Sequence, residues 1–240
     1  MNVLTFDTAE EIALCCADLF AELLRAVEAP VLGLATGASP IPTYRELVRR
    51  YHAGALSFRN VTTFNLDEYC ELPRNDANSY YTFMHENLFD QVDIREENAH
   101  ILNGNAPDLG VEAKAFEAQI RAAGGIDLQL LGIGTNGHIG FNEPDNKFTK
   151  ETFVVELSQS TVRSNSIYFS DGAMPKHAIT MGIGTIMAAR KIVLIASGGK
   201  KAAAIRKTVL GDVSPACPAS ILQFHPDVTL LLDREAAALL

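Results

Sequence analysis

The sequence is short of positive charge. Twenty lysines and arginines stand against 29 aspartates and glutamates, giving a formal net charge of −9 over 240 residues. Such a chain repels a phosphate backbone, which argues against nucleic acid as a partner; an anionic small substrate requires a local positive pocket. No apolar run is long enough to span a bilayer, and the N-terminal residues lack a basic, apolar secretion signal, so no membrane is expected and a cytoplasmic location is. Cysteine is also scarce. Cys15 and Cys16 adjoin each other on an expected helix, while Cys70 and Cys217 stand alone. That spacing suits neither a disulfide framework nor metal ligands, and reduced, partly buried thiols are the expectation. No internal repeat, low-complexity stretch or linker divides the chain, which reads as one domain over residues 1–240.

What the sequence does have is an alternation of two patterns. Thr8 and Glu11 form a capping box, and Ile12, Cys16, Leu19, Leu23 and Val27 follow at helical spacing. Val31 to Ala35 is a short apolar run suited to a buried parallel strand. After it, Ser39 is the expected helix N-cap, with Pro40 at the first helical position. Further strands are expected at 61–65, 127–133, 153–157, 191–196 and 228–232. Helices are expected from about Ser79, over 111–122 and over 200–210. The pattern predicts an α/β fold, a doubly wound and mostly parallel sheet flanked by helices. Ligands of such sheets sit beyond the carboxyl ends of the strands, which singles out the loops after Ala35, Asn65, Ile133 and Ala196.

Each of these loops has a chemical reading and a plain one. Thr36-Gly37-Ala38-Ser39 feeds a helix start, which suits phosphate, although an ordinary strand-to-helix turn needs the same residues. Ser197-Gly198-Gly199-Lys200-Lys201 adds two ammonium groups, of which one is expected to be merely solvated. Asp67 and Glu68 follow a buried strand; adjacent residues point apart, so at most one faces a pocket, where partial shielding would raise its pKa and make it a base. Gly132, Gly134 and Gly137 match the dinucleotide spacing G-x-G-x-x-G, with Glu156 about where a ribose-binding acid would fall. The context rejects that reading, because His138, Pro144 and the polar residues 145–147 leave no room for the required helix. What remains is a tight turn presenting His138, with Glu143 close enough in sequence to fold back and pair with it.

Three stretches carry a resemblance. Phe64 to Tyr69 (FNLDEY), Gly134 to Pro144 (GTNGHIGFNEP) and Ala178 to Thr185 (AITMGIGT) resemble the signatures of glucosamine-6-phosphate deaminases, and the likeness runs essentially end to end. The 6-phosphogluconolactonases are similar in fold and in the Gly-His turn but lack the Phe-Asn-Glu-Pro continuation. The resemblance implies a Rossmann-like fold and a sugar-phosphate substrate. Asp67 would move a proton between C2 and C1 of the open-chain sugar. His138 would open the pyranose ring, with Glu143 holding it and Asn136 beside them. Thr36, Gly37, Ala38, Ser39, Gly137 and Lys201 would bind substrate and its phosphate. Hydrolysis of the resulting ketimine would yield fructose 6-phosphate and ammonia, with no cofactor and no metal.

The sequence departs from the family in three places. Asn136 stands where many members have aspartate, and so supplies hydrogen bonds without charge. Ile167 falls where better-known members place a phosphate-binding arginine, which leaves phosphate to the glycine loop, Lys201 and Arg163. Residues 148–152 do not match the basic segment of the allosteric site, and the C-terminal extension of hexameric members is missing; a monomer or small oligomer is therefore expected. Two rival readings share the same residues, a galactosamine-6-phosphate deaminase and a non-catalytic sugar-phosphate sensor.

Overall fold

A computed structural model describes residues 1–166, 169 and 174–240. The chain opens with β1 (Asn2–Phe6), a strand with no marked sequence signal, and then α1 (Ala9–Ala26). As expected, Thr8 and Glu11 close a capping box at the start of α1, each side chain meeting the other's backbone N–H. The helix buries Ile12, Cys16 and Phe20 against the sheet. Next come β2 (Val31–Leu34), α2 (Ile41–His52) and β3 (Thr62–Asn65). A single residue later β4 (Asp67–Tyr69) begins, followed by α3 (Tyr80–Asn87), β5 (Ala99–His100), α4 (Leu109–Ala122) and β6 (Leu128–Leu131). The rest is β7 (Phe153–Glu156), α5 (Gln159–Asn165), β8 (His177–Thr180), α6 (Ile183–Met187), β9 (Lys191–Ala196), α7 (Ala202–Leu210) and β10 (Val228–Asp233).

Seven strands form one parallel sheet in the order β1-β10-β9-β6-β2-β3-β5. The apolar runs of β2, β6, β9 and β10 occupy its centre and are almost fully buried, as strands covered by helices on both faces must be. From β2 the order runs one way through β3 to β5, and from β6 the other way through β9 to β1. The switch point, where a crevice opens at the carboxyl ends, therefore lies between β2 and β6.

A second, antiparallel sheet in the order β4-β8-β7 stands beside the first. Leu66 passes the chain between them: its N–H donates to Leu34 at the end of β2, and its carbonyl accepts from Met181 at the end of β8. This fixes Asp67 as the first residue of β4, just past the carboxyl end of β3 and in register with Thr180.

The structure corrects several expectations. Residues 153–157 do form a strand, but in the small antiparallel sheet. Ser39 is not the N-cap of α2. Ala38 to Pro40 make a turn, Pro40 takes the cap position with helical backbone angles, and no side chain caps the helix. The last helix starts at Ala202 rather than Lys200, because Gly199–Lys201 first makes a tighter 3-10 turn. Ile167 lies outside the described residues.

Candidate active site

A cavity of about 150 Å³ opens at the switch point. The loop after β2 forms one wall with Thr36, Gly37, Ala38 and Ser39. The loop after β6 forms the opposite wall with Gly134 and His138, and Asp67 and Tyr80 line it between them. Three separate stretches thus meet where the topology predicts. A larger depression of about 350 Å³ lies beside the end of α1 and residues 54–61, but its only charged liners are Arg25 and Glu28.

Asp67 is 5% exposed. Burial, and then the neighbouring Glu68 charge, push its carboxyl from 3.8 to about 8, because a dry wall disfavours the anion. Glu68 points the other way, as strand alternation requires. It accepts the backbone N–H groups of Tyr69 at 2.8 Å, Tyr80 at 2.9 Å and Tyr81 at 2.9 Å, and so anchors the start of α3. Burial still raises its pKa despite those bonds. Ser79 caps the same helix by accepting from Thr82. The Tyr80 ring, held by this double anchor, stacks on Phe141 at 6.0 Å, and its hydroxyl donates to that of Tyr69.

The His138 turn is built by its glycines. Gly134 donates to the His138 carbonyl and accepts from Gly137, and the imidazole lies directly over Gly134, where a Cβ would come within 2.4 Å of the ring. Gly137 has φ +89°, the left-handed region that favours glycine. It faces the Sγ of Cys217 and lies outside the residues that line the cavity. Its part is to shape the turn.

Behind the imidazole, His138 Nδ1 faces Glu143 Oε2 at 3.5 Å. The same oxygen accepts from the Asn136 amide at 2.8 Å, and the His138 N–H donates to Asn136 Oδ1 at 3.2 Å. Asn136 therefore ties both ends of the pair together. Glu143 Oε1 accepts from Ser158 Oγ at 2.9 Å and from Thr161 Oγ1. Burial alone would raise the Glu143 pKa, but the bonds from His138, Thr161 and Asn136 outweigh it and hold the carboxyl down to about 2.

The loop after β9 differs from its sequence reading. Its Gly198 N–H is taken by Asp233 and its Gly199 N–H by Glu235, and Ser197 donates to Asp233 as well. Those groups are not open to a ligand. Lys201 is half-buried and donates through Nζ to the carbonyl of Ile133 at 2.6 Å, on the cavity's border, while Lys200 is exposed. Burial lowers the Lys201 pKa.

Sequence reasoning missed Tyr80, Ser158 and Thr161. The Ser158-to-Thr161 spacing announces a helix start, but no local pattern places those hydroxyls on a carboxylate 15 and 18 residues away.

Comparison with known proteins gives a consistent result. Residues 6–230 match the family model described as glucosamine-6-phosphate isomerases/6-phosphogluconolactonase. A glucosamine-6-phosphate deaminase of Lysinibacillus sphaericus is 54% identical over 96% of this chain and 97% of its own. A solved structure of a monomeric glucosamine-6-phosphate deaminase superimposes with a TM-score of 0.97 at 45% identity, covering all of both chains. A 6-phosphogluconolactonase from Trypanosoma brucei shares the fold at 21% identity, with a TM-score of 0.79 over 99% of this chain and 97% of its own. Among the described residues, no helix is long and apolar enough to cross a membrane.

Proposed function

The chain belongs to the family of glucosamine-6-phosphate isomerases and 6-phosphogluconolactonases, and from that premise we propose that it converts glucosamine 6-phosphate and water into fructose 6-phosphate and ammonia. The observation that carries this reading is Asp67, a carboxyl in the wall of the cavity whose protonation burial has moved up to about 8. A carboxylate made this basic narrows the gap to a carbon acid, and once protonated it keeps the proton long enough to return it.

The geometry supports the following steps. His138 moves a proton between the ring oxygen and the C1 hydroxyl, so the pyranose opens to the aldehyde. Glu143 stays ionised behind it and supports the imidazolium formed on the way. Asp67 takes the C2 proton and delivers it to C1, while a proton passes from the amine to the C1 oxygen, leaving the nitrogen as a ketimine at C2. Water adds at C2 and ammonia departs, so that atoms balance across the reaction. The Thr36-to-Ser39 loop receives the phosphate, assisted by Lys201 moving from the Ile133 carbonyl. Asn136 orients the pair without adding charge. The chain acts as one functional unit over residues 1–240, in the cytoplasm, as a monomer or small oligomer, without nucleic-acid or membrane partners.

One assay tests the reading. Ammonia release is measured from glucosamine 6-phosphate and from galactosamine 6-phosphate. Faster release from the glucosamine substrate is expected. A preference for galactosamine 6-phosphate overturns the substrate assignment, and binding with no turnover of either makes the protein a sensor.

A further inference from the structure

Glu143 is held from two sides. Its Oε2 meets Asn136 and His138, residues of its own turn. Its Oε1 meets two hydroxyls from another stretch of chain, Ser158 and Thr161, at the junction of β7 and α5. Ser158 is also the N-cap of α5 and receives the Thr161 N–H at 3.2 Å. The hydroxyl that starts the helix therefore also grips the carboxylate.

We propose that Ser158 and Thr161 are positioning residues for the acid–base pair: by occupying Oε1, they fix the Glu143 carboxylate so that Oε2 is the oxygen presented to His138. The contact between His138 Nδ1 and Glu143 is 3.5 Å, too long to set the carboxylate's orientation unaided. A glutamate side chain turns about three bonds, and only donors to both oxygens prevent rotation. Three hydrogen-bond donors supply them, Asn136 to Oε2 and Ser158 and Thr161 to Oε1. Each of the two hydroxyls is a donor that an ionised carboxylate can accept and a protonated one only partly can. The arrangement therefore also favours the anion that an imidazolium needs. The charged groups nearby are His138 on the turn and Asp145, Lys147 and Glu156 around the adjoining cavity, and none of them is needed to hold Oε1. This inference rests on the deaminase reading only for what His138 does to substrate.

The test uses Thr161→Val, which keeps the branched shape and removes the hydroxyl, and Thr161→Ser, which keeps it. The Glu143 carboxyl is followed by ¹³C NMR titration, and kcat and KM for ammonia release are measured alongside. In the unmodified protein the carboxyl signal should not move above about pH 4; in Thr161→Val it should begin to titrate there. The same change should lower kcat roughly tenfold, the usual cost of one hydrogen bond to a charged group, while KM changes by less than about twofold. Thr161→Ser should restore both. In a Glu143→Gln background, Thr161→Val should change kcat by less than about twofold, because the group it acts through is already altered. An unmoved carboxyl titration, or an undiminished loss in the Gln background, overturns the proposal. If Thr161→Val does not fold, Ser158→Ala gives the same readings from the second donor. Absence of ammonia release by the unmodified protein would defeat the deaminase reading instead, and the carboxyl titration would still decide the clamp.

Discussion

Asp67 and Glu143 are two acids withdrawn from water at one site, and their protonation moves in opposite directions. Asp67 begins β4, 5% exposed on the cavity wall, and burial dominates it. Glu143 is partly buried, but donors meet both of its oxygens. Burial thus sets the direction at Asp67, whereas hydrogen bonds outweigh it at Glu143. Two carboxyls driven apart in this way mark a division of labour, one acid that exchanges protons and one that stays charged.

The largest expected effect comes from removing the exchanging member. Asp67→Asn should lower kcat by roughly 10²-fold or more and abolish solvent-deuterium entry at C1 of the product, read by NMR. Substantial remaining turnover would transfer the role to Glu68. The same change should stabilise the fold. Because the folded pKa of about 8 lies above the ordinary 3.8, the native state prefers the protonated acid. The cost of ionising it is absent below 3.8, grows as pH rises to about 8 and is constant beyond. Melting temperatures should therefore rise more on Asp67→Asn at about pH 9 than at about pH 4, and an equal shift at both would show that Asp67 titrates normally.

The pH profile is the next test of the contrast. In the unmodified protein, kcat/KM should climb with pH to a midpoint near 8, reporting ionisation of free Asp67. A profile flat from about pH 6 to 9 would mean the acid is already ionised in the empty cavity.

Smaller effects separate neighbours that look alike in sequence. Lys201→Ala should weaken inhibition by sugar phosphates by about 1.5–3 kcal/mol and leave unphosphorylated glucosamine unaffected, whereas Lys200→Ala should do neither. Equal losses at the two lysines would indicate a diffuse field. Glu68→Gln should cost about 1.5–3 kcal/mol of stability in denaturant titrations through its bonds to the start of α3, with turnover per folded molecule changing less than for Asp67→Asn.

The elements most legible in the sequence were those whose signals are local. The capping box at Thr8, the Ser79 start of α3 and the apolar runs of β2, β6 and β9 depend on contacts within a few residues, or on a strand being covered on both faces. The small sheet was hidden because β4 carries Asp67, Glu68 and Tyr69, residues that do not read as a strand until β8 pairs with them. The loop after β9 misled for a related reason. Its glycines and lysines look like an anion site, but Asp233 and Glu235, more than 30 residues on, fill the N–H groups. The Thr36 loop has no such competitor among its described contacts and faces the cavity.

By itself the sequence determined the alternation of strands and helices, the edge of the sheet where a ligand belongs, the rejection of a dinucleotide site and the candidates Asp67, Glu68 and His138. These follow from periodicity, turn chemistry and residue type. Only the tertiary structure decided that Asp67 rather than Glu68 faces the cavity, that Gly137 packs against Cys217 in the turn, and that Ser158 and Thr161 reach Glu143. Protonation and orientation are set by what surrounds a group in space, and those surroundings come from segments the chain brings together only when it folds.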